Sequence, residues 1–143
     1  MSSSQSDMEN ASTSHLESRA LVDAAVVAAD AKLAEELVAL DVSELLGVVD
    51  YFVIASGRNS RQVSTLVDSI EEATKAHTDR GPLRVEGVKD ASWVLMDYGD
   101  VVVHVFLDET RRFYDLEHLW SGAPRVDLSQ VLPRARNEKA SGS

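Results

Sequence analysis

The order in which the apolar pattern changes along the chain most constrains its fold. Three segments repeat apolar residues at helical spacing, and five others are short, mostly apolar runs of the kind found in strands. From the N-terminus the order is helix, two strands, helix, three strands, helix. This order predicts one domain of the mixed α/β (α+β) class, a five-stranded mixed sheet with helices packed on it.

Capping and helix-breaking residues set the predicted helix boundaries. Ser14 and Glu17 have capping-box spacing, so the first helix is predicted to run from there to about Leu33. Asn59 or Ser60 is expected to cap the second helix, which the Asp79–Pro82 stretch ends. The residues predicted to face the core are Leu21, Val22, Ala25, Val26 and Ala29 in the first helix, and Val63, Leu66, Val67 and Ile70 in the second. A third helix is predicted over residues 111–120, with Phe113, Leu116 and Trp120 on one stripe.

The strands are bounded by turn residues. A tight hairpin turn is expected at residues 97–100, Asp-Tyr-Gly-Asp. In the strand after it, Val102, His104 and Phe106 share one face, because successive side chains alternate. The predicted strands are Leu37–Val42, Val48–Ala55, Leu83–Glu86, Trp93–Asp97 and Val101–Leu107.

The two ends of the chain lose this pattern. Residues 1–14 are rich in serine and predicted to form a disordered tail. Residues 128–143 are predicted to be a second disordered tail, which leaves residues 15–127 as the domain.

Charge and composition exclude several classes of function. The chain has 24 acidic residues against 14 Lys plus Arg, a formal net charge of -10. Direct nucleic-acid binding and attachment to an anionic membrane are therefore not expected, whereas a basic protein partner fits. The absence of cysteine excludes disulfides, zinc ribbons and iron–sulfur ligation. No secretory or transit signal and no membrane-length apolar stretch is seen, so a cytoplasmic location is expected.

Signals for catalysis are weak. Ser56-Gly57 precedes a helix and resembles a phosphate-binding turn, but the Walker and Rossmann glycine spacings are missing. Asp97 and Asp100 are three positions apart across a turn, so they do not form an Asp-x-Asp magnesium pair. His104 is interpreted as a core or interface residue, since no nucleophile accompanies it. No cofactor, metal or enzymatic activity is predicted; a nucleotidyltransferase-like, phosphate-handling enzyme is the alternative.

Aromatic and charged residues concentrate around the hairpin and in the last predicted helix. Trp, Tyr and Arg often anchor protein interfaces, and interleaved acids favour a basic partner. Both tryptophans also fit a core position. Trp93 follows the charged residues Lys89 and Asp90, which favours a partly open position, whereas Trp120 at the end of its stripe is expected to be at least partly core.

These residues carry a resemblance to a known family. The chain resembles the ribosomal silencing factor family (RsfS, also called Iojap) from about Leu21 to Trp120. The matching stretches are Asp50–Ile54, Ser56-Gly57, Arg61–Val63, Glu86-Gly87, Trp93, Asp97–Phe106 and Arg112–Trp120.

The resemblance implies a fold related to nucleotidyltransferases but without their catalytic acids. It further implies a homodimer that binds large-subunit ribosomal protein L-fourteen, blocks docking of the small subunit and represses translation when nutrients are short. The partner-binding residues that it implies are Trp93, Asp97, Asp100, His104, Arg112, Tyr114 and Glu117.

Overall fold

The computed structural model describes residues 3–132, with side chains for residues 14–115 and 118–132. The helices are α1 (Ser3–Ala31), α2 (Ser43–Leu46), α3 (Ser60–Thr78), α4 (Asp108–Tyr114) and α5 (Leu116–Leu119). The strands are β1 (Glu35–Asp41), β2 (Tyr51–Gly57), β3 (Arg84–Glu86), β4 (Trp93–Asp97) and β5 (Val101–Leu107).

The strands form one five-stranded mixed sheet in the order β1-β2-β5-β4-β3. Strands β2 and β5 are parallel, and the other neighbours are antiparallel. The central pair β2 and β5 is buried along nearly its whole length, as expected for strands covered on both sides. These observations confirm the predicted fold class.

One face of the sheet packs against α1 and α3, and we call it the helical face. The predicted stripes of both helices are buried, with exposed fractions between 0% and 5%. They pack against the side chains of the central strands that alternate toward them, which include Val53, Val103 and Val105. The amphipathic pattern of α3 thus orients that helix on the sheet.

The opposite face of the sheet carries a second apolar cluster, and we call it the open face. It is formed by the other set of alternating side chains, among them Phe52, Ile54 and Phe106, with Trp93 and Leu95 partly buried beside them. Trp120 and Ala123, from the segment after β5, pack against it. This face is less completely covered than the helical face, because its outer aromatic residues retain contact with solvent.

The ends of the fold differ from the sequence expectations. Helix α1 begins at Ser3, and Ser14 lies inside it, where its carbonyl accepts a hydrogen bond from the hydroxyl of Ser18. Residues 3–13 contain no glycine or proline, and an existing helix extends without a new nucleation cost. At the other end Leu128 and Leu132 are buried in the core, so packing continues past residue 127. Residues 1–2 and 133–143 of the two predicted tails lie outside the described part.

The last predicted helix was wrong in its extent. Instead of one helix over residues 111–120, α4 starts at Asp108 and α5 follows it after a break. Asp115 adopts the left-handed conformation, with φ 49°, and its N–H bonds to the carbonyl of Arg111, which is a common way for a helix to end. Phe113 is therefore not part of a buried stripe with Trp120: it is 81% exposed.

Candidate protein interface

Aromatic rings form a continuous row across the open face. Phe52 lies between Trp120 and His104, with ring centroids 5.0 and 4.8 Å away. Trp93 lies between Phe106 at 4.9 Å and Tyr114 at 5.3 Å. The row runs, in order, Trp120, Phe52, His104, Phe106, Trp93, Tyr114, Phe113.

Strand register explains this row. In the antiparallel pair β4–β5, Trp93 lies opposite Phe106 and Leu95 lies opposite His104. In the parallel pair β2–β5, Ile54 is the partner of His104. Because side chains alternate along each strand, these residues all point to the open face.

His104 lies in the buried part of the row, between Phe52 and Phe106, and is 7% exposed. Its Nδ1 accepts a hydrogen bond from the indole Nε1–H of Trp93, over 3.2 Å. Its Nε2 is buried and has no hydrogen-bond partner in the described structure. Burial lowers the pKa of His104 to about 4, because the apolar surroundings disfavour the charged imidazolium. The histidine is therefore neutral at physiological pH.

The row reaches the surface in α4. Tyr114 is 52% exposed and Phe113 is 81% exposed, and their rings contact each other at 5.1 Å. Arg112 beside them is exposed, and it pairs with Asp108 one turn earlier at 2.8 Å. Exposed aromatic rings that continue a buried cluster are typical of a surface that binds another molecule.

Asp97 lies on the open face, where it closes the hairpin. Its carboxylate accepts hydrogen bonds from Arg84 on β3, at 2.9 Å, and from the backbone N–H of Gly99, at 2.8 Å. These bonds lower the pKa of Asp97 below its usual value, with Arg84 the larger cause. Asp97 is a partly exposed anion on the same face as Trp93.

The side chain of Asp100, in contrast, forms its hydrogen bonds on the helical face. Its carboxylate accepts two hydrogen bonds from Arg80, at 2.5 and 3.1 Å, and another from the Ser18 hydroxyl in α1. Burial alone would raise the pKa of Asp100, but the hydrogen bonds from Arg80 and Ser18 outweigh it, and the pKa is lowered. Asp100 thereby connects β5 to α1 and to the segment that follows α3.

Ser56 and Gly57 are the last two residues of β2 and not the turn predicted from the sequence, because they pair with Phe106 and Leu107 of β5. Ser56 is fully buried, and its hydroxyl accepts a hydrogen bond from Arg111 at 2.8 Å. At the start of α3, Asn59 caps the N–H of Gln62, whose side-chain oxygen accepts from the N–H of Arg58. The Ser56 hydroxyl and the N–H groups of Arg58 and Gln62 are thus already bonded to protein atoms, which weakens the enzymatic alternative.

The described residues contain no group of three or more His, Asp or Glu side chains placed to hold a metal ion. Within that same part of the chain, no helix is both long and apolar enough to cross a membrane.

The structure brings some of the sequence-derived site residues together and separates others. Trp93 and His104 are hydrogen-bonded, Tyr114 contacts Trp93, and Asp97 shares their face. Asp100 points to the other side. The side chain of Glu117 lies outside the described residues. Four members of the row were not among the sequence-derived site residues: Phe52, Phe106, Phe113 and Trp120. Strand alternation had already placed Phe106 on the face of His104, and the parallel β2–β5 pairing would have added Phe52.

The fold and the site define an α/β domain with the long helices α1 and α3 on one face of its sheet and a partly exposed aromatic row on the other. A family model described as "Ribosomal silencing factor during starvation" matches residues 15–143. The chain belongs to this family, a group of ribosome-associated regulators of translation.

Individual relatives agree with this assignment. A ribosomal silencing factor from Halalkalibacterium halodurans is 41% identical over 114 residues, which cover 78% of this chain and 95% of that protein. A crystal structure from Bacillus halodurans superimposes with a TM-score of 0.65 at 39% identity, covering 76% of this chain and 97% of the other. A more distant mouse relative, named "Mitochondrial assembly of ribosomal large subunit protein 1", is 32% identical over 62% of this chain and 40% of that protein.

Proposed function

We propose that this protein binds the large ribosomal subunit through its protein L-fourteen and thereby blocks association with the small subunit. The observation that carries the proposal is the aromatic row, which leads from a buried cluster on the open face to exposed rings at Tyr114 and Phe113. Family membership and the name of the mouse relative support the large subunit as the target.

The chemistry of the open face suits a protein partner. Trp93 and Tyr114 supply rigid apolar area, which is the usual source of interface affinity. Asp97 and the net charge of -10 favour a basic partner, as expected for a protein embedded in ribosomal RNA, and speed the encounter with it. Arg112 adds a guanidinium at the edge of the row.

The proposed mechanism is steric and needs no catalysis. A protein bound at the subunit interface excludes the other subunit for as long as it stays bound, so silencing depends on a slow dissociation rate. We propose that the protein acts in the cytoplasm and as a homodimer. Asp100 is assigned a structural role, since its partners all belong to the helical face.

Direct binding to purified L-fourteen tests the proposal. Replacing Tyr114 with Ala should weaken binding roughly tenfold or more, because it removes an exposed ring that rests on Trp93. The control is Val27→Ala in α1, which truncates a half-exposed apolar side chain on the helical side. Absence of binding by the unmodified protein, or equal weakening by both substitutions, would contradict the proposed interface.

A further inference from the structure

The hydrogen bond between Trp93 and His104 fixes the protonation of the histidine. An indole nitrogen can only donate, so the Nδ1 that faces it must be the unprotonated acceptor. A neutral imidazole then carries its hydrogen on Nε2. The ring is therefore the Nε2–H tautomer, and its buried donor has no partner among the described residues.

That unpaired donor indicates why a histidine is unusual here. A leucine or phenylalanine would fill the same apolar site without leaving a buried polar group unbonded, which is unfavourable. The other neighbours of His104 are apolar: Phe52 packs edge-on at 4.8 Å, and Phe106 stacks at 6.1 Å with only 13° between the ring planes. What the imidazole adds at this position is an acceptor for Trp93.

The two phenylalanines also fix the direction in which that acceptor points. They hold the imidazole from the neighbouring strand β2 and from β5 itself, so Nδ1 has a defined position opposite the indole N–H. Trp93 is only partly buried and lies between the core and the exposed ring of Tyr114. Its indole contacts the Tyr114 ring at 5.3 Å, so the two rings form one continuous surface.

We propose that His104 is a positioning residue for the partner-binding surface: as the Nε2–H tautomer it accepts the indole hydrogen of Trp93 and holds that ring in the orientation that the partner meets. The proposal rests on the function proposed above, and it identifies the residue that orients Trp93 within that site. Its effect is pre-organisation, since a ring that is fixed before binding loses less freedom on binding.

Nuclear magnetic resonance of the free protein tests the proposal without any partner. The ¹⁵N shifts of His104 should report an unprotonated Nδ1 and a protonated Nε2. His104→Leu should shift the Trp93 indole resonance and speed its hydrogen exchange. The matched control, Val102→Ala on the same strand face, should leave both nearly unchanged. An Nδ1–H tautomer, or an indole signal that His104→Leu does not move, would overturn the proposal.

The affinity of His104 variants for large subunits then distinguishes a positioning role of His104 from a role in packing alone. His104→Leu should weaken binding roughly five- to tenfold, whereas His104→Asn, whose amide oxygen reaches the place of Nδ1, should recover part of the loss. Equal weakening by both variants, or none by His104→Leu, counts against positioning. If the unmodified protein does not bind large subunits, the proposed function fails, and the resonance measurements still decide the role of His104.

Discussion

Asp97 and Asp100 flank a two-residue turn, yet their carboxylates bond on opposite sides of the sheet. Asp97 pairs with Arg84 on the open face, and Asp100 pairs with Arg80 on the helical face. One hairpin thereby supplies an anion to the proposed interface and another to the packing of the helices. Substitutions at the two positions should consequently have different effects.

Asp100→Asn should destabilise the fold without changing affinity for the ribosome. The substitution removes a charged acceptor from the partly buried Arg80 and from Ser18, which should lower the free energy of unfolding by about 1–3 kcal/mol. Denaturant unfolding measures this change. The control Asp79→Asn breaks an exposed ion pair with Lys75 and should cost no more than about 0.5 kcal/mol. Equal effects at the two positions would contradict the role assigned to Asp100.

Trp93→Ala should weaken binding to large subunits by about 1–3 kcal/mol, because the indole joins the buried cluster to the exposed rings. Circular dichroism should show a retained fold, since Trp93 is only partly buried. Val27→Ala on the helical side again serves as the control. A folded Trp93→Ala variant with unchanged affinity would remove this residue from the interface.

Gly87→Ala should be strongly destabilising, by more than about 2 kcal/mol. Gly87 has φ +87°, and a Cβ there would lie 2.2 Å from the carbonyl oxygen of Trp93. The backbone that carries Trp93 would have to move, so partner binding should fall as well. Gly81→Ala is the matched control, since a Cβ at Gly81 meets no atom within 4 Å. Similar melting temperatures for the two variants would be inconsistent with this close contact.

Acid should destabilise the protein through His104. The pKa of His104 is about 4 in the folded protein and about 6.5 in an unfolded chain. Between these values the unfolded state binds more protons than the folded state. The contribution of neutral His104 to the free energy of unfolding is therefore fully present above about pH 6.5 and declines as the pH falls toward 4. The total loss is about 3 kcal/mol, of which about 2 kcal/mol is lost by pH 5.

This prediction is checked by comparing unfolding at pH 7.5 and pH 5 for the unmodified protein and for His104→Leu. The variant should lose about 2 kcal/mol less stability over that interval, since the leucine does not titrate. Asp97 and Arg84, which also lie on the open face, are paired with each other and remain ionised in this range. The same pH dependence in both proteins would exclude His104 as its cause.

The sequence predicted the five-stranded sheet and the bounds of β4 and β5 correctly, for identifiable physical reasons, whereas β1 and β2 begin two to three residues away from their predicted starts. Strands β4 and β5 have the predicted boundaries because a strong turn signal separates two apolar segments. The stripe of α3 was correct because its helical period is clear and Asn59 caps it. Such local signals depend on few long-range contacts.

The remaining features depend on contacts between distant residues. The break at Asp115 depends on a residue in the left-handed conformation, which composition alone does not reveal. The partnership of Asp100 with Arg80 requires knowledge of where the segment after α3 lies. Likewise the burial of Leu132 follows from tertiary packing and not from any periodic pattern in its own segment. The aromatic row joins residues from β2, β4, β5, α4 and the segment after α5, so it became visible only with the register of the sheet and the packing of that segment.

The most direct test of the account is a subunit-joining assay on sucrose gradients. Purified small and large subunits are mixed at a magnesium concentration that supports joining, with and without a molar excess of this protein. We expect the joined peak to fall and the protein to sediment with the large subunit alone. Tyr114→Ala should reduce both effects at the same protein concentration, whereas Val27→Ala should keep them. An unchanged joined peak, with the protein remaining at the top of the gradient, would contradict the proposed silencing function.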